Sequence, residues 1–255
     1  MNNIVALAQK EIRAYFVSPM AYALLGFFSL LFGYFYIASM NVMLQFSMGQ
    51  LGQGGPQVVN INEFMVRPLF SNTALILLMM LPFLTARAYA EEKRSGTIEL
   101  LLTSPLTDFQ IIIGKFLGAM TLYVMMLALT LIHVGVLFWY GEPEWGPIVS
   151  GYLGLLLIGS SFISVGLAIS SMTKSQMVAG LATLAVLLLF WIINWVGDPS
   201  GSTTQAVLSY LSIIEHFDDF SKGVIDTTHV TYYVSFTALG LFLTAKSLDT
   251  ARWNG

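Results

Sequence analysis

The chain has 255 residues, of which 56% are hydrophobic and only 10% charged. A soluble domain carries about 25% charged residues to hydrate its surface; here charges are too few to cover a globule, so the missing solvent is lipid. The net charge of −3 is small and scattered, which argues against a nucleic-acid partner, and the lack of cysteine excludes disulfides, thiolate metal sites and thiol catalysis.

In chain order, the first expected element is Asn3–Val17, within the leading segment 1–19. Ile4, Ala8, Ile12 and Tyr15 fall on one helical stripe, with Gln9, Lys10 and Arg13 elsewhere. That pattern suits an amphipathic interfacial helix lying along a membrane leaflet, its cations near lipid phosphates. A plain extension of the first span fits the same residues, and Ser18-Pro19 supplies a break in either case. Ala21-Tyr22-Ala23 resembles a signal cleavage site but precedes the apolar run instead of following it, so the first span is read as retained.

A membrane span needs roughly 20 mostly apolar residues, since about 30 Å of hydrocarbon is crossed at 1.5 Å per residue. Six stretches qualify: Met20–Asn41, Leu69–Ala86, Ile111–Tyr140, Ser150–Ser171, Met177–Val196 and Thr231–Leu248. A broken helix changes the count to five or seven. The fold class is therefore all-α, a single polytopic membrane domain over residues 1–255. With six spans, Lys10, Arg13, Arg87, Lys93, Arg94, Lys115, Lys174, Lys246 and Arg252 share one side, against Arg67 and Lys222 on the other. The positive-inside bias puts that richer side, and both termini, in the cytoplasm. The expected location is the cell (inner) membrane.

Three connections remain. The loop from Asn41 to Arg67 is rich in Gly and Gln and reads as a flexible connection without chemistry. The loop 87–107 mixes charges, a glycine break, a short amphipathic stretch and Pro105. It leads into a well-marked helix start, where Thr107 and Gln110 have capping-box spacing and Leu106 and Ile111 are placed as a hydrophobic staple. The segment 197–230 carries Val207, Leu211, Ile214 and Phe217 at helical spacing among Glu215, Asp218 and Asp219, so one or two short helices on the outer leaflet are expected.

Catalytic and nucleotide motifs are missing. The sequence has no Gly-x-x-x-x-Gly-Lys-Ser/Thr, His-Glu-x-x-His or Gly-x-Ser-x-Gly run. His133 is the ionisable side chain within a span; it is either a functional group or interhelical packing glue. Gly114 with Gly118, and Ser160, Ser164 and Ala168, mark close helix contacts, within the chain or between chains. Trp139, Tyr140, Trp145, Trp191 and Trp195 read as interfacial anchors.

The run Arg94-x-Gly96-Thr97-x-Glu99-Leu100-Leu101-x-x-x-Pro105 resembles the cytoplasmic loop of permease subunits in type-2 ATP-binding-cassette (ABC-2) exporters. Within that superfamily, the Glu215-His216-Phe217-x-x-Phe220-x-x-Gly223-x-Ile225-Asp226 run is similar to the short permeases of the gliding-motility and copper-maturation transporters. His229 stands where that resemblance implies an acidic residue. The resemblance implies a non-catalytic permease, binding no cofactor itself, with ATP and Mg held by separate cytoplasmic ATPase subunits. Glu91, Arg94, Gly96, Thr97, Glu99, Leu100 and Leu101 would form or support the ATPase contact, and Thr173-Lys174-Ser175-Gln176 a minor one. It further implies a second permease copy or a related permease as partner. A lipid-facing amphipathic turn is the simpler reading of the loop, and a membrane anchor transmitting force to an envelope complex, with an extracytoplasmic partner at 197–226, is the alternative function.

Overall fold

A computed structural model describes residues 2–49, 60–196 and 203–253. Its elements are α1 (Asn2–Val17), α2 (Pro19–Ser47), a π-helical turn (Asn62–Val66), α3 (Arg67–Ser95), α4 (Ile98–Leu102), α5 (Asp108–Tyr140), α6 (Trp145–Met172), α7 (Gln176–Ile192) with a 3₁₀ turn (Ile193–Val196), α8 (Thr203–Leu211), α9 (Ile213–Ser221) and α10 (Thr227–Trp253). The protein is an all-α polytopic membrane protein. Among the described residues, five helices are long and apolar enough to cross a membrane: Pro19–Ser47, Asn62–Ser95, Asp108–Tyr140, Trp145–Met172 and Gln176–Trp195. The sixth expected span, Thr231–Leu248, lies inside α10, which is not among those five because Thr, His and Tyr fill its first turns.

The centre of the bundle is α6, flanked by α3 and α10. All three run in the same direction. Gly151 faces Phe70 and Gly166 faces Thr85 on α3, while Ser161 meets Tyr233 and Ser164 meets Gly240 on α10. Close approach explains those glycines: a Cβ on Gly166 would sit 1.9 Å from Thr85 Oγ1. Hydrogen bonds also join the helices, as expected where lipid offers no alternative partner. Ser170 Oγ donates to the Ala86 carbonyl (2.8 Å) and accepts from the Tyr89 and Ala90 amides (3.1 Å each). Ser160 Oγ and Thr237 Oγ1 lie 3.1 Å apart, so the small-residue stripe on α6 serves contact within this chain.

The stripe on α1 forms, with Ala8 and Tyr15 buried; beside it Leu7 covers Gly114 and Glu11 covers Gly118 on α5, which is why those glycines are spaced four apart. The segment with Val207, Leu211, Ile214 and Phe217 forms two short helices, α8 and α9, within the one or two expected. The chain breaks at Ser212 between α8 and α9, leaving Val207 exposed while Ile213, Phe217 and Phe220 are fully buried. Trp191 is buried too, unlike Trp139, Tyr140, Trp145 and Trp195, which are exposed. Most of the Gly-rich stretch before Asn60, and residues 197–202, lie outside the described residues.

Candidate functional site

The sequence-selected residues sit at the C-terminal end of α3. There α3 ends at Gly96, whose φ of +74° is the left-handed conformation that a glycine adopts without strain. The Ser95 hydroxyl bonds the Glu91 carbonyl (2.9 Å) and contacts Thr97 Oγ1 (2.9 Å), tightening the turn. Five residues of helix follow as α4. A proline at 105 and the α5 cap then set the exit: Thr107 Oγ1 accepts from the Gln110 amide (3.3 Å), and Gln110 Oε1 accepts from the Thr107 amide (3.2 Å). This is the reciprocal capping box expected from the sequence.

Glu91, Arg94, Gly96, Thr97, Glu99 and Leu100 are exposed together on this end of the bundle. The two leucines divide. Leu100 is 73% exposed, whereas Leu101 and Ile98 pack back against the hydrophobic core. The exposed leucine of the pair is therefore Leu100, with Phe109 also exposed in the first turn of α5. Leu101 instead seats α4 on the bundle. The short Lys174 turn lies between α6 and α7, with Ser175 Oγ capping α7 at the Val178 amide (3.4 Å).

Beneath α4 is an ion cluster that sequence reasoning missed. Lys115, on α5, is 2% exposed. Its Nζ donates to Glu11 Oε1 of α1 (2.8 Å), to Glu92 Oε1 of α3 (2.9 Å) and to the Ala88 carbonyl (2.8 Å). All three ammonium protons are thus used. The Arg87 guanidinium stacks 4.5 Å from the Tyr15 ring centroid, and burial, reinforced by Glu11, pushes the Tyr15 phenol up against the opposing pull of Arg87. A cleft of about 680 Å³ opens over these groups, lined by Lys10, Glu11, Arg13, Arg87, Glu91 and Glu92 among others. The signal was available: Glu11 lies one helical turn from Leu7 on the packed side of α1, and Lys115 lies between Gly114 and Gly118.

His133 is wedged between the rings of Phe32 (5.1 Å) and Tyr36 (5.2 Å) of α2, and its Nδ1 is buried without a hydrogen-bond partner. Among the described residues no three His, Cys, Asp or Glu side chains are grouped to hold a metal ion.

The sequence matches the family described as "ABC-2 family transporter protein" over residues 5–246. The chain belongs to that family. It is similar to the probable multidrug ABC transporter permease YbhR of Escherichia coli K12, at 27% identity over 154 residues, covering 59% of this chain and 41% of the relative. It is also similar to the inner membrane transport permease YhhJ of Escherichia coli K12, at 30% identity over 151 residues, covering 58% and 40%. The chain thus matches about two fifths of the length of these curated relatives. Within an ABC-2 protein, the exposed α4 and the ion cluster behind it occupy one end of the helix bundle.

Proposed function

We propose that the chain is the membrane-spanning permease subunit of an ABC exporter, converting ATP hydrolysis on separate ATPase subunits into movement of a substrate across the inner membrane. On this reading α10 is a sixth crossing: it runs beside α6 from Tyr233 against Ser161 to Ser247 against Ser171. Six crossings and the cation bias put both termini and α4 in the cytoplasm.

The observation that carries the reading is α4 itself. It is a five-residue helix held at a fixed angle by Gly96 at one end and the Thr107 cap at the other. It presents Glu99 and Leu100 outward while Ile98 and Leu101 hold it to the core. A connecting loop needs no such definition; a docking helix does. Exposed charges at Glu91, Arg94 and Glu99 set register against a partner, and Leu100 supplies the apolar anchor. Gly96 and Thr97 support the turn. A second permease subunit completes the transport path, and ATP with Mg binds the ATPase alone.

The test is co-purification. Glu99→Lys with Leu100→Asp leaves the core contacts of Leu101 intact, so the permease stays folded and monodisperse while the ATPase is lost from the detergent-solubilised complex. Recovery of the ATPase at full yield with that double variant moves the dock elsewhere.

A further inference from the structure

At the end of the bundle opposite α4, two of the chain's three histidines meet. Four groups form a continuous line. His216 Nε2 lies 2.9 Å from the Tyr210 carbonyl, His216 Nδ1 lies 2.7 Å from His229 Nδ1, and His229 Nε2 lies 2.9 Å from Asp219 Oδ2. Each is a hydrogen-bond distance, and each contact requires one proton between its two atoms. A carbonyl only accepts, so His216 Nε2 carries the first proton. One of the facing Nδ1 atoms carries the second, and the third lies between His229 and the carboxylate. Three protons are needed. Two neutral imidazoles supply two, and an ionised aspartate supplies none.

The location of the additional proton follows from the surroundings. Burial holds the His216 imidazole below its ordinary value, against the raising effect of its bond to Tyr210, and proximity to His229 lowers it further. The Lys222 ammonium lies 3.6 Å from Asp219 Oδ1. Imidazole is also the stronger base, by about 2.6 pH units in ordinary surroundings. The proton therefore resides on His229, which donates from both ring nitrogens: Nδ1 to His216 and Nε2 to Asp219.

We infer that His216, His229 and Asp219 form a single-proton binding site that fastens the first turn of α10 to α9. Losing that proton sets two lone pairs facing each other; gaining another sets two N–H groups facing each other at Nδ1. The line is complete in one protonation state and opens on either side of it. Several groups face it. Tyr232 stacks on His216 at 3.9 Å, Tyr210 and Tyr233 approach its edge, and Asp226, in the loop before α10, caps the Thr228 amide. Lys222 also binds Asp218, which binds Arg67 of α3, and Glu215 is taken up by Asn194. These neighbouring charges have partners of their own, and Lys222 also touches the line at Asp219. The inference rests on this geometry and is independent of the transport reading.

The experiment is solid-state NMR of the full chain with isotope-labelled histidine in lipid bilayers, from about pH 5 to about pH 9, across the ordinary histidine range. The expected spectrum in the middle of the range holds one imidazolium and one singly protonated imidazole linked through Nδ1, distinct from His133. Asp219→Asn is the decisive variant. Its side-chain amide donates to His229 Nε2, so the line closes with two neutral histidines; the imidazolium disappears while the His216–His229 bond remains. His229→Gln, with the fold checked by gel filtration, must also remove the imidazolium. Two neutral imidazoles at every pH in the unmodified chain overturn the inference. So does an imidazolium that persists in Asp219→Asn at the same pH.

Discussion

Lys115→Met tests the reading of the ion cluster most directly. Methionine keeps most of the stem that fills the space under α4 and deletes the charge. What it leaves behind sets the magnitude. Glu11 and Glu92 have side chains only 12% and 17% exposed, and both lose their partner at 2.8–2.9 Å. Lys10 is 3.7 Å from Glu92 but largely in water, so it offsets little. Breaking a buried pair by removing one partner costs about 3–5 kcal/mol, because the other charge is stranded. The open cleft lets water reach the two carboxylates, which places the cost at the low end, about 3 kcal/mol. For a chain of this size each kcal/mol moves the melting midpoint by about 2–4 °C, so the expected fall is about 6–12 °C.

The assay is the thermal midpoint in detergent, read by fluorescence-detected gel filtration at a fixed heating time, since unfolding of such proteins is governed by rate. The diagnostic partner is the triple variant Lys115→Met, Glu11→Gln, Glu92→Gln. It removes the whole cluster and strands no charge, so most of the loss is recovered. An unchanged midpoint in Lys115→Met refutes the argument, and so does a triple variant as unstable as the single one. The second result would mean that stranded charge on Glu11 and Glu92 is not what destabilises the single variant.

Two further outcomes follow from the packing and the outer charges. Gly166→Ala places a Cβ 1.9 Å from Thr85 Oγ1 and 2.6 Å from Thr85 Cβ, so α3 and α6 must separate at a cost of about 1–3 kcal/mol, while Gly146→Ala, with open space around it, leaves the midpoint unchanged. At Asp218, partial burial pushes the carboxyl up, but hydrogen bonds from Lys222 (2.5 Å) and Arg67 (2.7 Å) outweigh it and hold the group below the ordinary carboxylate range. A depressed folded-state value means that its stabilisation is fully present above about pH 4, the unfolded value, and is lost as pH falls through the folded one. Asp218→Asn therefore flattens the decline of the melting midpoint below about pH 4 relative to the unmodified chain.

The class of fold was legible because its cause is local. Runs of apolar residues long enough to cross lipid are visible in Met20–Asn41 or Met177–Val196 without any tertiary information. The α5 start was legible for the same reason, since a capping box is a four-residue device. The partners of a face were not. The stripe on α1 reads as an interfacial helix or an extension of the first span, and its packing partners appear only in the approach of Leu7 to Gly114. Lys115 reads as one more cytoplasmic cation, because its burial depends on Glu11 and Glu92 arriving from 104 and 23 residues away. Leu100 and Leu101 are chemically identical, and their division is set by how α4 is rotated against the core. His229 departs from the acidic residue that the family resemblance implies, and its Nε2 lies 2.9 Å from Asp219 Oδ2.

The helix that relates the two ends of the molecule is α3. At one end Arg67 binds Asp218 of α9 at 2.7 Å; at the other Glu92 binds Lys115, and the chain turns at Gly96 into α4. Between them α3 is fixed to α6 by Thr85 against Gly166, by the Ser170 hydroxyl between Ala86 and the Tyr89 and Ala90 amides, and by Lys93 on the Ser171 carbonyl. Close-packed contacts of this kind move together or not at all. On the proposed reading, a push on α4 is therefore not absorbed by bending of α3. It is passed on to α6, and from α6 to α5 where Tyr123 packs on Gly159 and donates to the Leu155 carbonyl, while the Lys115 cluster joins α3 to α1 and α5. Because the Ser171 carbonyl also accepts from Ser247, α10 is drawn into the same unit. The α9–α10 junction with its histidine line lies at the end of α3 opposite α4, where Arg67 binds Asp218.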